Sequence, residues 1–169
     1  MTTQKPFRSW PYIPLLAAAL LGCAGAGTEA GAQDVTRCEP VRAFLTEQFG
    51  MVAEISPDTI DDWRTAKIVP GCRVTAAGGT PIGLGQQAGM LYNQLGVAGW
   101  TRTPEPRDAP AESALRMRLS DTDCFFTPYS GIAIGTEAER RVTMAFEPRS
   151  DDARYNLLVQ CMPAMDAIP

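Results

Sequence analysis

The chain has 169 residues, 15 of them Lys or Arg and 19 Asp or Glu, for a net charge of −4 at neutral pH. That length fits one domain with a modest core, and an acidic balance with singly scattered arginines excludes an electrostatic footprint for nucleic acid or for an anionic lipid surface. Histidine is absent, which excludes Ser-His-Asp and Cys-His nucleophilic catalysis, imidazole acid–base chemistry near neutral pH, and the commonest zinc and haem ligands.

At the start of the chain, Lys5 and Arg8 precede an uncharged run to Cys23 whose dense apolar part is Ile13 to Leu21. A positive n-region, a short apolar h-region and a small-residue exit make the pattern of an export signal. Leu20-Leu21-Gly22-Cys23 resembles the lipobox of bacterial lipoproteins, a resemblance confined to the first two dozen residues. It implies cleavage before Cys23, lipid (palmitate among the acyl groups) on that cysteine, and a membrane-anchored protein of the cell envelope, periplasmic in a two-membrane cell. The competing site is Ala30-Gly31-Ala32, an A-x-A pattern that would release a soluble periplasmic or secreted protein. An uncleaved anchor is disfavoured, because a spanning helix needs about 20 predominantly apolar residues. Cleavage before Cys23 leaves 13 basic against 19 acidic residues, a net charge of −6. The organisation is then an export signal over 1–22, a flexible Gly- and Ala-rich tether over 23–35, and a single domain over 36–169.

Five cysteines leave one over in an oxidising compartment. With Cys23 lipidated, Cys38, Cys72, Cys124 and Cys161 remain, and four cysteines allow three connectivities. Cys38–Cys72 with Cys124–Cys161 is the favoured set, since each bond closes a segment that folds locally.

Along the domain, Thr36-Arg-Cys-Glu39 reads as a capping box. Val41, Phe44, Leu45 and Phe49 then form a helical stripe that Gly50 ends. Met51 to Ile55 reads as a short strand. Ser56-Pro57-Asp58 reads as the start of a brief helix carrying Ile60 and Trp63 inward, and Pro70-Gly71 as a turn. Cys72, Val74 and Ala76 share one face of the next strand. A glycine-rich loop from Ala77 to Gly85 leads into a helix marked by Ala88, Leu91, Tyr92 and Leu95, with Trp100 packing back over its end. Thr101 to Glu112 reads as a surface linker. The last third alternates with period two: Leu115, Met117 and Leu119 against Arg116 and Arg118, a turn over Ser120–Asp123, a returning strand from Cys124, a strand with Val142, Met144 and Phe146, and a final strand with Tyr155, Leu157, Val159 and Cys161 on one face. Short connections favour antiparallel pairing. The expectation is an α+β fold, a mostly antiparallel sheet with one main amphipathic helix on one face and a helical N-terminal part.

Motifs that suggest chemistry have plainer readings beside them. Gly83-Leu-Gly85-Gln-Gln-Ala88 matches G-x-G-x-x-A at a helix start, but no βαβ context surrounds it, so it reads as a helix-capping loop and no cofactor is implied. The loop also lacks Gly-Lys-Ser/Thr, so no nucleotide is expected. Asp58, Asp61 and Asp62 do not follow calcium-loop spacing and read as carboxylates in a helix's first turn. Cysteines 34 or more positions apart do not read as a metal site. Phe125, out of phase with Cys124 and Phe126 and close to Tyr129, is a candidate exposed aromatic. Arg116 and Arg118, with Arg140 and Arg141, are a candidate anion-binding face, against mutual salt bridges. No catalytic residue is assigned. The functional expectation is an envelope-tethered binding or structural module acting on another envelope protein; the alternatives are a carboxylate enzyme around Asp58, Asp61 and Asp62, or a secreted inhibitor-like domain acting through Phe125 to Gly131.

Overall fold

The computed structural model describes residues 34–62, 65–103 and 115–164; the export segment with Cys23, Trp63, and residues 104–112 of the expected linker lie outside them. A 3-10 turn, Val35–Cys38, leads directly into α1, Glu39–Phe49. The Thr36–Glu39 capping box does not form. Asp34 caps the turn instead, its carboxylate accepting from the Thr36 N–H at 3.1 Å, and Glu39 is held by Arg42 at 2.7 Å. Aspartate is as strong an N-cap as threonine, so winding starts earlier than the motif implied. Val41 and Leu45 are fully buried, and Gly50 ends the helix at φ +61°, a left-handed value that glycine tolerates.

β1, Val52–Asp62, and β2, Lys67–Thr80, form a long antiparallel hairpin. The helix expected after Ser56 and the turn expected at Pro70-Gly71 are both absent, because the strands run straight through them. Each proline sits where a missing N–H breaks no ladder. Pro57 lies on β1, an edge strand of the sheet. Pro70 lies where β2 has outrun its other neighbour, whose ladder with β2 begins only at Cys72. Residues 77–80, expected as loop, are also strand.

α2, Leu84–Val97, buries Leu91 and Leu95 as expected. Trp100 folds back, its N–H donating to the Leu95 carbonyl at 3.0 Å and its ring meeting Phe126 edge-on at 5.8 Å. A short β3, Thr101–Arg102, pairs with β4, Leu115–Leu119, and β4 turns at Ser120-Asp121 into β5, Thr122–Tyr129. The segment around Val142 is not a strand. It is α3, Glu137–Ala145, started by Thr136, whose hydroxyl accepts from the Glu139 N–H at 3.2 Å. Ala138 and Val142, four apart, go inward while Met144 stays exposed, so the apparent alternation joined residues from opposite faces of a helix. β6, Ala153–Pro163, enters the middle of the sheet.

The sheet runs β1-β2-β6-β5-β4-β3, antiparallel throughout, so the fold is α+β as expected. One face carries the core: Cys72, Val74 and Ala76; Tyr155, Leu157, Val159 and Cys161; Cys124 and Phe126; and Met117, beneath α1, α2 and Trp100. Both disulfides lie in this core, Cys38–Cys72 and Cys124–Cys161, and all four cysteines are fully buried. Register places Cys72 opposite Cys161 and Cys161 opposite Cys124, a row across β2, β6 and β5.

Gly71 marks the close crossing at the end of that row, since a Cβ there would overlap the Cys161 carbonyl oxygen and the Ile60 side chain. Gly71→Ala is expected to destabilise the protein by about 2 kcal/mol or more, because backbone rather than a movable side chain must give way. Urea denaturation measures it; Gly85→Ala, which meets open space in α2, is the control expected to be neutral or stabilising.

Candidate functional site

The other face of the sheet holds the residues singled out for chemistry. Two-residue alternation sends Asp58, Ile60 and Asp62 of β1, Arg73 of β2, Gln160 of β6, Asp123 and Phe125 of β5, and Arg116 and Arg118 of β4 to this side. α3 covers one end of it. Residues 58–62 and 67–71 form a two-stranded arm beyond the β6 ladder, and such ribbons twist more strongly than wide sheets. The arm curls over the face, so that Asp62 reaches Arg116 at 3.7 Å although four strand steps separate β1 from β4.

Arg116 therefore does not lie on a solvated face. Its side chain is 2% exposed, Asp62 is fully buried, and its guanidinium sits 5.6 Å from the centre of the Phe125 ring. Phe125 is half-buried beneath that cation. Arg118 grips the fully buried Asp123 through two hydrogen bonds, 2.6 and 2.9 Å. Asp58 accepts from Arg73 at 2.9 Å and from Gln160 at 3.0 Å. Arg140 pairs with Glu137 at 2.6 Å, and Arg141 pairs with Glu54. Every arginine of the proposed anion-binding face is thus engaged by a carboxylate. The three aspartates are not gathered on a helix end either: Asp58 and Asp62 face inward with separate arginines, and Asp61 points the other way, exposed.

Tyr129 belongs to a second network that the strand reading of the residues after Thr136 missed. Glu139, fully buried on α3, accepts from the backbone N–H groups of Ala133 (2.9 Å), Ile134 (3.1 Å) and Gly135 (2.6 Å), and from the Tyr129 hydroxyl (2.7 Å). The carboxylate holds the 130–136 loop closed in a small anion nest made by the chain itself. Burial by itself raises the Glu139 pKa, but the three N–H donors and the hydroxyl outweigh it and hold the group below its ordinary value. Burial and the adjacent carboxylate push the Tyr129 hydroxyl well above its usual range. A threonine–glutamate spacing at 136–139 was the available clue, masked by the strand reading of the residues after it.

At the start of the fold, a cavity of about 310 Å³ lies between the 3-10 turn and the β4–β5 turn, lined among others by Arg37, Trp100 and Asp121. Arg37 is already held there by Asp34 and by Asp121, at 3.5 and 3.0 Å. Among the described residues no three His, Cys, Asp or Glu side chains converge to hold a metal ion, and no helix is long and apolar enough to cross a membrane. No protein-family model matches the chain, and comparison with curated proteins and with solved structures finds no match.

Two outcomes test this polar face. Asp62→Ala removes a fully buried carboxylate that faces the buried Arg116 and is expected to cost about 3–5 kcal/mol in chemical denaturation. For Glu139, a lowered folded-state pKa means that its contribution is complete above the unfolded value near 4.5 and is lost as pH falls through the folded value. Glu139→Gln is expected to cost about 1.5–3 kcal/mol at neutral pH and to lose less stability than the native chain on acidification below pH 4.5. Denaturation midpoints at several pH values measure both; parallel pH profiles for the two proteins would contradict the assignment.

Proposed function

We propose that the chain is an extracytoplasmic module, held together by disulfides and tethered to a membrane by lipid on Cys23, that works by binding or by holding structure and not by catalysis. The observation that carries this reading is the state of the other four cysteines, all paired and fully buried. Disulfides persist in oxidising compartments, and a chain with four of five cysteines committed to each other leaves Cys23 for another use. The lipobox-like Leu20-Leu21-Gly22-Cys23 supplies one. The described fold begins at Asp34, and the ten residues between it and Cys23 span at most about 35 Å, so the domain would sit close to the bilayer. The charged groups of the second face speak for the non-catalytic half of the reading: Arg73, Arg116 and Arg118 each hold an aspartate in place, an arrangement that fixes the curl of the sheet.

Intact-mass analysis of the protein from the membrane fraction tests the tether. The expected chain starts at Cys23 and carries acyl groups, and Cys23→Ser is expected to block processing and lipid attachment. A chain starting at Gln33 in the soluble fraction would overturn the tether and make the protein diffusible.

A further inference from the structure

At the end of the β2–β6 ladder away from the 3-10 turn, a second cavity of about 370 Å³ opens between the end of α1 and the connection from α3 to β6. Its size falls in the range of small-ligand sites. Phe49 and Phe146 bring aromatic rings to its walls, Glu147 and Asp152 bring carboxylates, and Arg149 is the basic residue in its lining. Gly79 forms part of the floor. A Cβ at that position would come within 3.1 Å of Asp152 and 3.2 Å of Phe146, so the absent side chain lets both close over the strand.

Two helix C-termini converge on this cavity. α1 ends at Phe49 with Gly50 as its cap, and α3 ends at Ala145 with Phe146 as its cap. A helix C-terminus carries a partial negative charge that a cation offsets, yet neither last turn contains a basic residue. Arg154 supplies part of that charge by donating to the Phe146 carbonyl at 2.9 Å. Glu147 and Asp152 add two formal negative charges against one from Arg149, which makes no ion pair with any described residue. Carboxylates beside aromatic rings are the chemistry that recognises an organic ammonium group. A bare metal ion is a poorer fit, since only two of the lining residues carry carboxylates.

We propose that this cavity binds a small organic ammonium compound, its cationic nitrogen against Glu147 and Asp152 and its alkyl groups against Phe49 and Phe146. The site is independent of how the chain is tethered. Saturation-transfer difference NMR on the full-length protein, with choline chloride as the probe and sodium chloride at matched ionic strength as the control, tests it. Saturable transfer to the choline methyl groups is expected. Glu147→Gln and Asp152→Asn are each expected to weaken it by about two- to fivefold, the range for one electrostatic contact at an exposed site. Arg149→Ala is expected to strengthen it. Glu147 is exposed, so its substitution leaves the fold intact, and circular dichroism checks the Asp152 variant. No saturable transfer to the native protein, or an affinity unchanged in both carboxylate variants, would overturn the proposal.

Discussion

Cys72, Cys161 and Cys124 stand side by side across the three central strands, and both disulfides of the domain start from that row. One bond joins β5 to β6. The other leaves the sheet and fixes Cys38, the residue that ends the 3-10 turn, so the helical layer is bolted to the sheet at α1's first turn. In a domain with a modest core this matters, because only Val41 and Leu45 of α1 are fully buried. Each bond closes a loop of comparable length, 34 and 37 residues, for which the chain-entropy account gives about 3–4 kcal/mol. That is a large share of the stability of a small protein. The remainder of the core face follows from it: α1 in place lets Met51 sit beneath Gly78, where its sulfur accepts from the Tyr155 hydroxyl, and Gln87 of α2 donates to that hydroxyl while accepting from Thr80 of β2.

The second face is organised by charge. Buried ion pairs recover their desolvation cost only with good geometry, and their value lies more in specifying an arrangement than in stabilising it. Here each pair joins segments that hydrophobic burial alone would leave loose. Asp58 ties the edge strand to β2 and β6, and Asp62 brings the curled arm to β4; Glu139, held by hydrogen bonds and not by a cation, fastens a seven-residue loop to α3. The consequence for function is that this face offers little free charge of its own. The cavity between Phe49 and Phe146 differs in just that respect, because its arginine and its carboxylates are not bound to each other.

The sequence disclosed the fold class, the antiparallel pairing, the core faces of β4 to β6, helix α2 and both disulfides, because those features depend on local periodicity or on short loop closure. It misled where a residue's usual meaning depends on its neighbours. Pro57 and Pro70-Gly71 read as breaks because proline lacks a donor, and only the sheet order reveals that neither donor had a partner to lose. Val142 to Phe146 read as a strand because three alternating apolar residues match period two, although on the helix Val142 turns inward and Met144 outward. Thr136 and Glu139 were the decisive capping signal there. The candidate residues fared similarly. Phe125, Tyr129, Arg116 and Arg118 do share one face, but that Arg116 would be buried against Asp62 follows from the twist of an unsupported hairpin, which no local pattern encodes. The cavity at Phe49 and Phe146 joins residues almost a hundred positions apart.

Mapping the disulfides in the non-reduced protein, by proteolysis under conditions that block exchange and mass spectrometry of the linked peptides, tests the account at its foundation. It predicts Cys38 linked to Cys72 and Cys124 linked to Cys161, with no free thiol among the four. Cys72 linked to Cys161, the other neighbour in the row, or four freely alkylated thiols, would contradict it.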